Sequence, residues 1–75
     1  MKELVEYIVK GLVDQPDQVV VVEKRQGNTV ALQLHVAPDD MGRVIGKGGK
    51  VANALRSLLR ASAAKDNVRV TLDID

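Results

Sequence analysis

Seventy-five residues, 45% of them hydrophobic and 28% charged, describe one small globular domain spanning residues 1–75 with a single core, not a disordered tail. The absence of cysteine excludes a disulfide framework and a thiolate zinc site. No stretch approaches the ~20 apolar residues of a membrane span. The amino terminus carries Glu3 and Glu6 inside its apolar run and lacks a small-residue cleavage site, so no signal peptide is expected and a reducing cytoplasm is the simplest address.

In chain order, the spacing first predicts a helix from Glu3 to Val13. Leu4, Ile8 and Leu12 recur at i, i+4 and i+8, with Val5 and Val9 widening the stripe and Tyr7, the lone aromatic, at the edge of the core. Gly11 weakens the last turn, and Asp14-Gln15-Pro16-Asp17 ends it. Two strand-like runs follow, Gln18 to Arg25 and Thr29 to Val36, joined by Gln26-Gly27-Asn28 as an antiparallel hairpin. The second alternates strictly: Val30, Leu32, Leu34 and Val36 share one face, and Thr29, Ala31, Gln33 and His35 the other.

Pro38 ends that strand, and Asp39 is expected to cap a short helix reaching about Ile45. Three glycines in four positions, Gly46 to Gly49, break the chain. A further helix runs from about Lys50 to Ala64, with Val51, Leu55, Leu58, Leu59 and Ser62 predicted to face the core and Asn53, Arg56 and Arg60 opposite, as a solvated face. The last strand, Asn67 to Ile74, again alternates, with Val68, Val70, Leu72 and Ile74 inward. Helix, strand, strand, helix, helix, strand is thus the order. Three amphipathic helices must cover one face of a three-stranded sheet, an α+β domain in two layers. Because a helix pair precedes the last strand, that strand is free to lie parallel to one of the first two, giving a mixed sheet.

The net charge of +1 conceals an uneven distribution. From Met41 to Lys65 six basic residues (Arg43, Lys47, Lys50, Arg56, Arg60, Lys65) and no acidic one give +6, against −5 for the remainder. A segment of one sign on an otherwise acidic chain is the footprint of an anionic ligand. Within it, Gly46-Lys47-Gly48-Gly49 lets the main chain turn sharply without side chains that would block a phosphate. The helix beginning near Lys50 directs free N–H groups and its positive dipole end at the same loop, and Lys47 and Lys50 add charge.

Nucleotide-binding loops are excluded by spacing. A Walker loop has four residues between its first glycine and its Gly-Lys pair, whereas three separate Gly42 from Gly46, and Gly48 stands where Ser or Thr is required. A dinucleotide fingerprint starting at Gly46 would need glycine at the position of Val51. Catalysis is not expected: His35 lies alone on a polar strand face, and Asp39 and Asp40 have no His or Cys to complete a metal site, so neither cofactor nor metal is predicted.

The run Gly42-Arg43-Val44-Ile45-Gly46-Lys47-Gly48-Gly49 resembles the Val-Ile-Gly-x-x-Gly signature of KH domains, whose GXXG loop clamps four nucleotides. The element order, α-β-β-α-α-β, resembles the type II form of that fold. The opening MKELVEYIVKGLVDQPDQV and the run from Pro38 to Lys47 are similar to the small single-domain KH proteins of bacteria, the KhpA-like family. This resemblance covers essentially the whole chain. It implies an RNA-binding protein, a post-transcriptional regulator or RNA chaperone, that holds single-stranded RNA. In it Gly46, Lys47, Gly48 and Gly49 form the clamp, Arg43 and Lys50 make flanking phosphate contacts, and Val44 and Ile45 belong to groove floor or core. It also implies a homodimer, or a heterodimer with a larger KH-domain protein. The rival reading is a dimerising protein-interaction subunit in which RNA contact is secondary. With no Phe or Trp, this chain lacks the ~1–3 kcal/mol per base that aromatic stacking supplies, so phosphate contacts, aliphatic packing and backbone hydrogen bonds must carry recognition.

Overall fold

The computed structural model describes residues 1–75 and places three helices over one face of a three-stranded sheet. The elements are α1 (Lys2–Leu12), β1 (Val20–Gln26), β2 (Thr29–His35), α2 (Met41–Ile45), α3 (Lys50–Lys65) and β3 (Arg69–Ile74), with 3-10 turns at Pro16–Gln18, Pro38–Asp40 and Lys47–Gly49. This is the α+β order expected of a type II KH fold, and each element lies within a few residues of its predicted bounds.

The strictly alternating strand is the central one. β2 pairs antiparallel with β1, Leu34 opposite Val21, and parallel with β3, Leu32 opposite Leu72. Val30, Leu32, Leu34 and Val36 are all buried, as their period of two requires. The hairpin closes through Gly27-Asn28 alone. The parallel crossover from β2 to β3 is made by α2 and α3, the connection a parallel pair demands.

All twelve residues of the buried apolar cluster are Val or Leu. Each side chain of this size contributes about 1.5–3 kcal/mol on burial, so a core without aromatics holds this fold together by many similar increments.

Two helices are turned about their axes relative to the predicted faces. In α3 the buried residues are Ala52, Leu55, Leu59 and Ala63, while Leu58 is 51% exposed and Val51 and Ser62 are half-buried. The buried stripe is displaced by about 60° on the helical wheel. The small side chains of Ala52 and Ala63 allow close approach to the sheet, and this outweighs the larger transfer energy of Leu58. In α1, Val5 and Val9 are fully buried, but Leu4 and Leu12 are exposed and Tyr7 is 81% exposed, so Tyr7 is not at the core edge.

Asp39 does not cap α2. It is exposed within the 3-10 turn, and the residue preceding α2 is Asp40, which caps no N–H of its own helix. Asp40 is instead the only buried polar or charged residue, and its carboxylate accepts the backbone N–H groups of Asp14 at 3.1 Å and Gln15 at 3.0 Å. This contact ties the end of α1 to the start of α2 and so helps fix the segment that carries the glycine loop.

Candidate nucleic-acid interface

Three of the loop's four residues, Gly46, Gly48 and Gly49, have positive φ angles. Gly46 ends α2, its N–H bonded to Gly42 O at 2.9 Å, with φ 78° and ψ 170°. A Cβ placed there would lie 2.6 Å from Val51 Cγ2 and 2.9 Å from Val51 N, so both conformation and space demand glycine. Gly48 (φ 66°) and Gly49 (φ 79°) then turn the chain into α3, with Gly49 N–H bonded to Gly46 O at 3.1 Å. Around Gly48 there is open space.

No side chain caps the N-terminus of α3. Lys50 N–H is taken by Lys47 O within the turn, and no side chain competes with an anionic acceptor for the rest of the first turn or for the positive dipole end beside the loop. Lys47 and Lys50 flank the turn and are exposed. Arg43 is placed differently: its guanidinium sits 3.0 Å from Asp14 Oδ2 and 3.9 Å from Asp40 Oδ1, and among the six basic residues of the segment it is the one engaged in ion pairs. Val44 belongs to the core, fully buried, whereas Ile45 is 38% exposed.

Beyond the loop a groove runs between α3 and the free edge of β3. Its nearer part, a cleft of about 230 Å³, is bounded by Arg56, Leu59 and Arg60 on the helix and by Val70 to Asp73 on the strand. A second hollow continues past Arg60 towards Ala63 and Val68. The floor is aliphatic and the rim basic. Arg56 lies six residues into α3, about 9 Å from the loop along the helix axis.

Arg56 and Arg60, predicted to lie on a solvated face, line this groove. Arg56 is half-buried and reaches across to the strand, its Nε and Nη2 donating to Leu72 O at 3.3 and 3.1 Å. The helical wheel drawn on the larger apolar residues puts Arg56 opposite the core. Centred on Ala52 and Ala63 it puts Arg56 at the core's edge, which was the one available signal.

The sequence pattern described as "KhpA/KhpB, KH domain" matches residues 2–74. The chain belongs to the KhpA/KhpB family of KH domains. Proteins named RNA-binding protein KhpA from Clostridium acetobutylicum and Halalkalibacterium halodurans are 50% and 54% identical to it over 74 residues. These matches cover 99% of this chain and 99% and 97% of the two relatives. The protein of the same name from Chlamydia trachomatis is 47% identical over 99% of this chain and 95% of its own length. KhpA/KhpB domains are thus represented by relatives of the same size, named for binding and not for catalysis. The helix-flanked glycine turn and the α3/β3 groove lie along the same helix of this KhpA/KhpB domain. No helix is long and apolar enough to cross a membrane.

Proposed function

We propose that this chain is a single KH domain that holds a short run of single-stranded RNA, about four nucleotides, and acts as a post-transcriptional regulator or RNA chaperone. Gly46, Lys47, Gly48 and Gly49 clamp the backbone and Lys50 adds a phosphate contact. Ile45 borders the bound strand from the end of α2, and Val44 supports it from the core. Arg43 contributes only after its ion pair with Asp14 is loosened. The observation that carries this reading is the uncapped N-terminus of α3, set beside an open glycine turn and two exposed lysines. The name shared by the relatives, RNA-binding protein, supports it.

Joint replacement of Lys47 and Gly48 by Asp tests the proposal. The exchange removes one cation and adds two carboxylates at the seat of a phosphate, in space that the core does not use. A micromolar complex should weaken by about a hundredfold or more while the circular-dichroism spectrum stays that of a folded chain. A folded double variant that binds RNA like the parent sinks the clamp.

A second reading, a dimerising subunit, is favoured by one observation: Leu4, Tyr7, Leu12 and Leu58 are large apolar residues left exposed on α1 and α3. A chain this short buries only about 60% of its unfolded surface, and a second copy or a larger KH-domain protein would cover more. The two readings are compatible, since a second tethered RNA surface raises effective concentration.

A further inference from the structure

β3 is an edge strand, and its register decides which backbone groups meet the groove. Arg69 N–H bonds to Asn28 O at 2.7 Å and Asp75 N–H to Leu34 O at 2.9 Å, so the odd-numbered residues direct their polar backbone to the β2 side. The N–H and C=O groups of Val70, Leu72 and Ile74 therefore point away from the sheet, towards α3. Left alone, Leu72 would offer a donor and an acceptor side by side. Such a pair matches the Watson–Crick edge of every base, because each carries an adjacent donor and acceptor.

Arg56 alters that offer. Its Nε and Nη2 both occupy Leu72 O, and the guanidinium, which has five N–H donors and no acceptor, lines the cleft with donors to spare. A base facing Leu72 meets the strand N–H and the guanidinium, donors only. Leu59 and Val70 supply apolar walls, and Arg60 adds a second donor-only group. Asp73, the one carboxylate on the rim, belongs with Arg69 and Thr71 to the strand residues whose side chains face away from the helices.

We propose that Arg56 sets the base preference of this groove by excluding adenine at the position facing Leu72. This rests on the RNA-binding reading above. Adenine is the one base without a carbonyl oxygen, and its Watson–Crick nitrogen acceptor is flanked by an amino donor that would face the guanidinium. Cytosine presents N3 and O2 together and guanine O6 and N7, each pair able to receive the fork of an arginine, while uracil, whose two carbonyl oxygens are separated by N3–H, offers O4 from its C5–H side to a single N–H.

The test is fluorescence anisotropy with labelled oligo(rC), oligo(rU) and oligo(rA) of about eight nucleotides, against the parent, Arg56→Met and Arg56→Lys. The parent should bind oligo(rC) and oligo(rU) about tenfold more tightly than oligo(rA). Arg56→Met uncovers Leu72 O for an amino donor, and the preference should shrink to within about twofold through a gain on oligo(rA). Arg56→Lys keeps the charge but loses the planar fork, so total affinity should hold while the preference falls; it also reads the effect if the Met variant folds poorly. Equal weakening on all three oligomers, with the parent's ratios retained, would make Arg56 a phosphate contact or an edge cover and overturn this inference alone. No binding of the parent to any oligomer would remove the RNA reading with it.

Discussion

Asp40 holds the backbone N–H of Asp14 across 26 positions of sequence, at 3.1 Å and from a site only 1% exposed. The same carboxylate receives Gln15 N–H, so two otherwise unpaired donors after α1 depend on one side chain. Asp40→Asn keeps the shape but leaves one oxygen for two donors and turns an amide N–H towards the other. The expected loss is about 2–4 kcal/mol, hence a melting temperature lower by about 10 °C or more in a chain of this size. Thermal denaturation followed by circular dichroism measures it; an unchanged midpoint would mean that this contact contributes nothing.

The glycines of the loop should differ in their tolerance of a methyl group. Gly46→Ala meets Val51 in a backbone region that only glycine occupies readily, and should cost about 3 kcal/mol or more. Gly48→Ala enters open space in the left-handed region and should cost about 1–2 kcal/mol. Urea titration of the two variants gives the ranking, and the reverse order would contradict the packing of Val51 against the turn.

Neutralising phosphates makes binding depend on salt. For two to four contacts the slope of log K against log salt is about −1.4 to −2.8 for a single strand. Single-stranded RNA should also outcompete a duplex of the same sequence, because a groove of this kind needs splayed bases. A flat salt response, or equal binding of duplex and strand, would leave only a nonspecific basic surface.

Leu58 and Leu59 are neighbours with opposite fates. Leu59→Ala empties a fully buried site and should cost about 2–5 kcal/mol. Leu58→Glu changes an exposed one and should alter the stability of the monomer by about 0.5 kcal/mol or less. If self-association covers α3, the Glu variant should sediment as a monomer at concentrations where the parent is a dimer. A Glu variant that unfolds would show Leu58 to be core after all.

The elements of the fold were legible because their signals are local. Strict alternation from Thr29 to Val36 marks a half-covered strand whatever it pairs with, and the glycine-bearing link before it turns back as a hairpin. Three glycines between two amphipathic segments mark a sharp break beside a helix start, which located the candidate loop. The rotation of α3 was not legible, since a wheel carrying both leucines and small alanines has two plausible buried faces. Contact with the sheet chose Ala52 and Ala63 over Leu58 by allowing closer packing. The roles of Asp40 and Arg56 were hidden for a related reason. Their partners lie 26, 25 and 16 residues away and are backbone atoms, which carry no side-chain identity for a pattern to register. Only folding brings the end of α1 to Asp40 and the open edge of β3 to Arg56, because each pairing depends on how whole elements pack and not on the residues that flank it.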